Sequence, residues 1–183
     1  MGSFVATVVA VYVLPVALLF FGFVPFEWRF RILIGMAIAT GLISLFHGHN
    51  RNELGFPLRA SRLMRLALAA LLLVLAAMPA LPAQSAAFFG FYVLISAPVQ
   101  EFLYRSFLFA RMKASSVRPG FQVLCSASLF SFMHVIYRDA ALMGLAFAAG
   151  ILWAWLYQQT RSFFLVAASH SILGATAIWY GVI

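Results

Sequence analysis

Apolar residues in this chain run in blocks close to the roughly 20 residues that a helix needs to cross the hydrocarbon core of a membrane, and short polar or basic breaks part them. Seven such blocks follow one another, at about residues 3–26, 30–46, 64–82, 86–110, 120–137, 139–157 and 162–182. The pattern predicts an all-α fold, a polytopic transmembrane bundle of about seven helices. No internal repeat or low-complexity linker divides the sequence, so residues 1–183 read as a single membrane domain. Met1 to Phe26 lacks a basic leader and a small-residue cleavage site, so the first block reads as a retained helix.

Inside the blocks, Pro15, Pro79 and Pro98 free carbonyls that neighbouring helices can satisfy. Pro98 predicts a bend close to residue 101. The sixth block carries small residues four apart, Ala140, Gly144 and Ala148 on one face and Ala146, Gly150 and Ala154 on another, which lets neighbouring backbones approach closely. Trp153, Trp155, Tyr157, Trp179 and Tyr180 read as an interfacial belt.

Composition agrees with the blocks, at 65% hydrophobic and 9% charged residues, and it excludes an ordinary soluble domain. The net charge of +8 would suggest nucleic acid in a soluble protein. Here the Lys and Arg residues sit at the ends of apolar blocks and act as topology signals, favouring an N-in, C-out orientation. One cysteine, Cys125, allows no disulfide within the chain.

With the loops set aside, the strongly polar residues left inside the blocks are Gln100, Glu101, Arg105, His134 and His170. A charge at the centre of a membrane helix costs roughly 3 kcal/mol, so intramembrane ionisable residues mark functional sites by default. Glu101 and Arg105 are four apart, share a helix face and stand in the favourable order for an ion pair. At 1.5 Å per residue, Glu101 and His170 lie roughly 14 and 12 Å from one membrane face and His134 roughly 21 Å. A carboxylate with two imidazoles supplies either a general base with hydrogen-bond donors or a two-His-one-carboxylate site for a metal such as zinc. An ion pair that merely ties helices together is the bland alternative. His47-Gly-His49, in a loop without a matching acid or thiol, is assigned to the membrane boundary.

The order Gln100-Glu101-x-x-x-Arg105, then Phe130-x-x-x-His134, then His170 after Trp155-Leu-Tyr-Gln-Gln-Thr-Arg-Ser162, resembles the CAAX-prenyl-protease and bacteriocin-processing (CPBP or Abi) family of intramembrane endopeptidases. The resemblance covers about residues 50–180, including the Glu53-Leu-Gly-Phe loop. It implies a glutamate-type hydrolase in which an acid at 100 or 101 and His134 activate water, His170 stabilises the oxyanion and Arg105 holds the acid. It also implies a peptide or membrane-protein substrate and no cofactor, with bound zinc left open; composition and the placement of charge add contact with membrane lipid, no nucleic acid and a place in a bacterial inner membrane. Two positions depart from the family pattern: Gln100 stands where the first of two acids is usual, and Gly174 where the third motif has Asn. Gln cannot accept a proton from water, which leaves Glu101 as the base or leaves the site inactive. The rival readings are a catalytically silent member that binds a peptide, partner or lipid, and a proton-coupled transporter.

Overall fold

The computed structural model describes residues 2–57, 61–77 and 83–181, which form seven helices. Helix α1 runs through Gly2–Val8, a π-helical turn at Val9–Val13 and Leu14–Phe20, with Pro15 in the first turn after it. The first block was expected to reach residue 26. The helix stops at Phe20 because Gly22 takes a positive φ of 76° and Pro25 follows. Helix α2 is Arg29–Phe46 and α3 is Arg62–Ala77; Pro79 lies outside the described residues.

Helix α4 is a composite of Ala83–Phe91, a π segment at Tyr92–Ser96, Ala97–Glu101, a second π segment at Phe102–Phe107, and Leu108–Ala114. Helix α5 is Pro119–Met133, continued by a 3₁₀ turn at His134–Tyr137, and α6 and α7 are Ala140–Thr160 and Phe163–Trp179. Among the described residues, four stretches are long and apolar enough to cross a membrane, Phe26–Phe46, Ala86–Ala114, Pro119–Tyr137 and Ala140–Thr160. Among the described residues there is no strand, and the protein is an integral membrane protein.

The core gathers around α4, whose residues from Leu103 to Met112 are buried by α1, α2, α5, α6 and α7. Of the two small-residue faces of α6, only one packs inward. Ala146, Gly150 and Ala154 are buried, and a Cβ on Gly150 would come within 3.0 Å of the Ala127 backbone on α5. Ala140, Gly144 and Ala148 point outward, and nothing lies within 4 Å of a Cβ on Gly144. The inward face is selected because it continues through Trp153 and Tyr157, whose bulk needs burial. For the same reason the expected aromatic belt divides: Trp155, Trp179 and Tyr180 are exposed, whereas Trp153 and Tyr157 belong to the core.

The loop after α2 closes one end of the bundle. Gly55 takes φ +74°, and a Cβ there would lie 2.8 Å from the Tyr157 hydroxyl and 3.0 Å from the Arg161 carbonyl. The Gly55 carbonyl accepts a 2.8 Å hydrogen bond from the Phe163 amide, which joins the loop to the start of α7.

Candidate active site

Pro98 has no amide hydrogen to offer the preceding turn, and the backbone before it widens into the π segment at Tyr92–Ser96. A second π segment begins directly after Glu101. Side chains of neighbouring helices donate to carbonyls inside both segments: Ser171 to Val93 at 2.8 Å, Tyr12 to Leu103 at 2.7 Å and Ser126 to Tyr104 at 2.7 Å. Backbone groups that lipid could not satisfy are thereby met by protein. The two irregular segments bracket Gln100 and Glu101, so local backbone geometry and side-chain chemistry coincide.

Glu101 and Arg105 are both fully buried. Glu101 Oε1 lies 2.7 Å from His170 Nδ1, and its Oε2 lies 3.2 Å from Arg105 Nε. A carboxylate can only accept, so His170 donates its Nδ1 hydrogen and is left with Nε2 for other partners. The Arg105 guanidinium lies 4.5 Å over the Phe130 ring and donates to the Gly150 carbonyl at 3.2 Å. That bond draws on the close approach of α5 and α6 at Gly150. Arg105 thus anchors the acid from one side while His170 meets it from the other.

His134 ends α5, and its Nδ1 lies 2.8 Å from the Phe130 carbonyl. A carbonyl also only accepts, so here too Nδ1 donates and Nε2 keeps its lone pair. Both imidazoles pack edge-on against the same Phe130 ring, with centroids at 5.0 Å for His134 and 5.6 Å for His170. His170 also stacks face to face on Trp153, at 4.0 Å and 20°.

A cavity of about 480 Å³ opens against these rings, lined by Gln100, His134 and His170 together with Tyr92, Phe130, Trp153 and apolar residues of α6 and α7. Glu101 does not line it and reaches it only through His170. No carboxylate among the described residues lines it, and Arg29 is its one charged member. Gln100 is held by a 3.1 Å hydrogen bond from its amide nitrogen to Ser96 Oγ. At Gly174, also in the lining, a Cβ would collide with the Tyr92 hydroxyl and lie 2.6 Å from Tyr92 Cζ.

Among the described residues, no group of three or more His, Cys, Asp or Glu is arranged to hold a metal ion. Glu101 Oε1 meets His170 Nδ1, and Oε2 faces Arg105 Nε as an ion pair. The His47 and His49 rings stack on each other at 6.0 Å, away from this cavity, and His49 Nδ1 lies 3.6 Å from Glu53. The Asn50 amide and then His49 hold the Glu53 carboxyl below its ordinary pKa.

The structure therefore brings Gln100, His134 and His170 to one cavity, with Glu101 and Arg105 behind them and Phe130 and Gly174 beside them. Tyr92 and Trp153 are the site residues that sequence reasoning missed. Trp153 had a readable signal, since it continues the Ala146/Gly150 face at helical spacing. Tyr92 had none.

A family model described as type II CAAX prenyl endopeptidase Rce1-like matches residues 82–176. No curated protein and no solved structure is significantly similar to the chain. The matched segment begins just before α4 and runs to within a few residues of the end of α7, so it takes in each residue around the cavity except Arg29 and Phe30 of α2 and the last-turn residues Ala177 and Ile178 of α7.

Proposed function

The chain belongs to the Rce1-like family of type II CAAX prenyl endopeptidases, and from that premise we propose that it is an active intramembrane endopeptidase. It hydrolyses a peptide bond of a membrane-associated protein or peptide in the cavity beside His170. The observation that carries this reading is the 2.7 Å contact between the buried Glu101 carboxylate and His170, at the wall of a cavity that His134 and Gln100 also line. A carboxylate on Nδ1 fixes the imidazole tautomer and stabilises the imidazolium that forms when Nε2 takes up a proton.

The resemblance implied that Glu101 acts on water directly and that His170 stabilises the oxyanion; in the reading proposed here Glu101, buried behind His170, positions the base, and His170 takes up the proton. In this mechanism His170 Nε2 takes a proton from water while His134 Nε2 accepts the water's other hydrogen bond. The hydroxide oxygen bonds to the carbonyl carbon, and the negative charge passes to the carbonyl oxygen. The Gln100 amide, with one N–H committed to Ser96, has a second to offer that oxyanion. Collapse of the intermediate breaks the C–N bond, and the His170 imidazolium returns its proton to the leaving amine.

One observation favours a second reading. No carboxylate among the described residues touches the cavity, and Gln100 stands where an acid would reach it. A catalytically silent member would bind a peptide, partner or lipid there without hydrolysing it. The deciding experiment incubates purified protein with a pool of membrane peptides and reads new termini by mass spectrometry. Products from the wild type that vanish in His170→Ala support the peptidase. Products absent from the wild type and gained in Gln100→Glu support the silent member.

A further inference from the structure

We propose that the Tyr92 hydroxyl is a second donor to the oxyanion, seated in the space that Gly174 leaves open. This rests on the peptidase reading above. His170 and Gly174 lie four apart on α7 and so share a face, about 6 Å apart along the axis. Tyr92 approaches that face from the first π segment of α4. Its ring meets His170 edge-on at 6.2 Å and 77°, and its hydroxyl occupies the position where any side chain at 174 would begin.

The fit is reciprocal. Any residue larger than Gly at 174 drives the phenol out, and the phenol brings a hydrogen-bond donor to the spot from which an α7 side chain would otherwise reach the cavity. The Tyr92 hydroxyl donates to no group among the described residues, although Tyr92, Gly174 and His170 all line the same cavity. The half-buried Tyr92 phenol therefore keeps its donor for a group that enters the cavity. The phenol faces the space where the scissile carbonyl must lie if His170 is to act on the attacking water. The π segment is what allows it, since the widened turn at Tyr92–Ser96 sets the direction from which the ring enters.

A purely packing role predicts different behaviour, because Tyr92→Phe keeps the ring and removes only the oxygen. The test measures peptide cleavage by wild type and Tyr92→Phe. In parallel it measures calorimetric affinity for an apolar Leu-Leu isostere carrying a phosphinate in place of the amide, and for its parent amide. A lost oxyanion donor costs about 10²–10³ in kcat. The expected result is a fall of that size with KM nearly unchanged, and a comparable loss of affinity for the phosphinate but not for the amide. Tyr92→Ala/Gly174→Asn, which returns a donor from α7 into the vacated space, should recover cleavage and phosphinate affinity relative to Tyr92→Ala alone, and this arm remains readable if Tyr92→Phe folds poorly. Equal losses for the two ligands, or no loss for either, overturn the assignment. A wild type that cleaves nothing, yet loses phosphinate affinity selectively in Tyr92→Phe, refutes the peptidase and leaves the donor standing. A wild type that neither cleaves nor prefers the phosphinate refutes both.

Discussion

Glu101→Gln separates what the buried carboxylate does for the fold from what it does for the chemistry. The amide keeps the shape, but its two ends differ. If the oxygen faces His170, the NH₂ meets the Arg105 guanidinium at a position now 3.2 Å away, donor against donor. If it is flipped, the clash falls on His170. Either way a fully buried Arg105 loses its counter-charge, and breaking such a pair from one side costs about 3–5 kcal/mol. Replacing both charges removes the unpaired ion, so Glu101→Gln/Arg105→Met should regain most of that stability.

Activity should not return with it. The imidazolium formed on His170 has lost its carboxylate, and removing the acid behind a catalytic histidine elsewhere lowers kcat by about 10⁴. The assay is thermal unfolding in detergent for the wild type, the single and the double variant, together with cleavage at equal folded concentration. Full cleavage in the double variant would show that Glu101 does not act through His170. An unaltered unfolding midpoint in the single variant would show that the ion pair contributes nothing to the fold.

Arg105→Ala should lower folded yield by the same unpaired-charge mechanism, with Arg105→Lys restoring part of it because an ammonium cannot form the planar fork; fluorescence-detected size-exclusion chromatography reads both. Ser171→Ala orphans the Val93 carbonyl inside the bundle and should cost about 1–3 kcal/mol, whereas Thr176→Ala, whose exposed hydroxyl bonds only to a carbonyl of its own helix, should cost little by the same thermal assay. Gly55→Val combines a positive φ with contact on Tyr157 and Arg161 and should loosen the loop from α7, seen as faster amide exchange at Phe163. Glu53 has its pKa depressed on folding, so its support for the loop is present above the ordinary carboxylate range and lost as pH falls through the folded value. Exchange of the Asn50–Phe56 amides should rise in that acid window in wild type, and Glu53→Gln should remove the pH dependence.

The bundle and the ionisable part of the site were legible because polar groups in an apolar block have few reasons to be there. Glu101, Arg105, His134 and His170 each announced themselves in this way. What stayed hidden depended on distances between helices. Ideal counting set His134 apart in depth from Glu101, but α4 runs on to Ala114, which adds about 6 Å to the depth of Glu101. Apolar and aromatic members gave a weaker signal: Trp153 was readable only from the Ala146/Gly150 face that it continues at helical spacing, and Tyr92 not at all. That Tyr92 fills the place of a missing side chain on α7 depends on how two helices cross, which neither helix encodes alone. The Glu101 carboxylate was visible as an acid, while its seclusion behind His170 was not.

The ion pair at the centre of the site also bears on how the chain enters the bilayer. Glu101 and Arg105 belong to one helix, one turn apart, so they meet as soon as that segment winds and before any other helix arrives. An ion pair shared between two helices would oblige each to cross with a bare charge, at roughly 3 kcal/mol apiece. Here α4 carries its own counter-ion through insertion, and assembly has only to deliver His170 to the carboxylate.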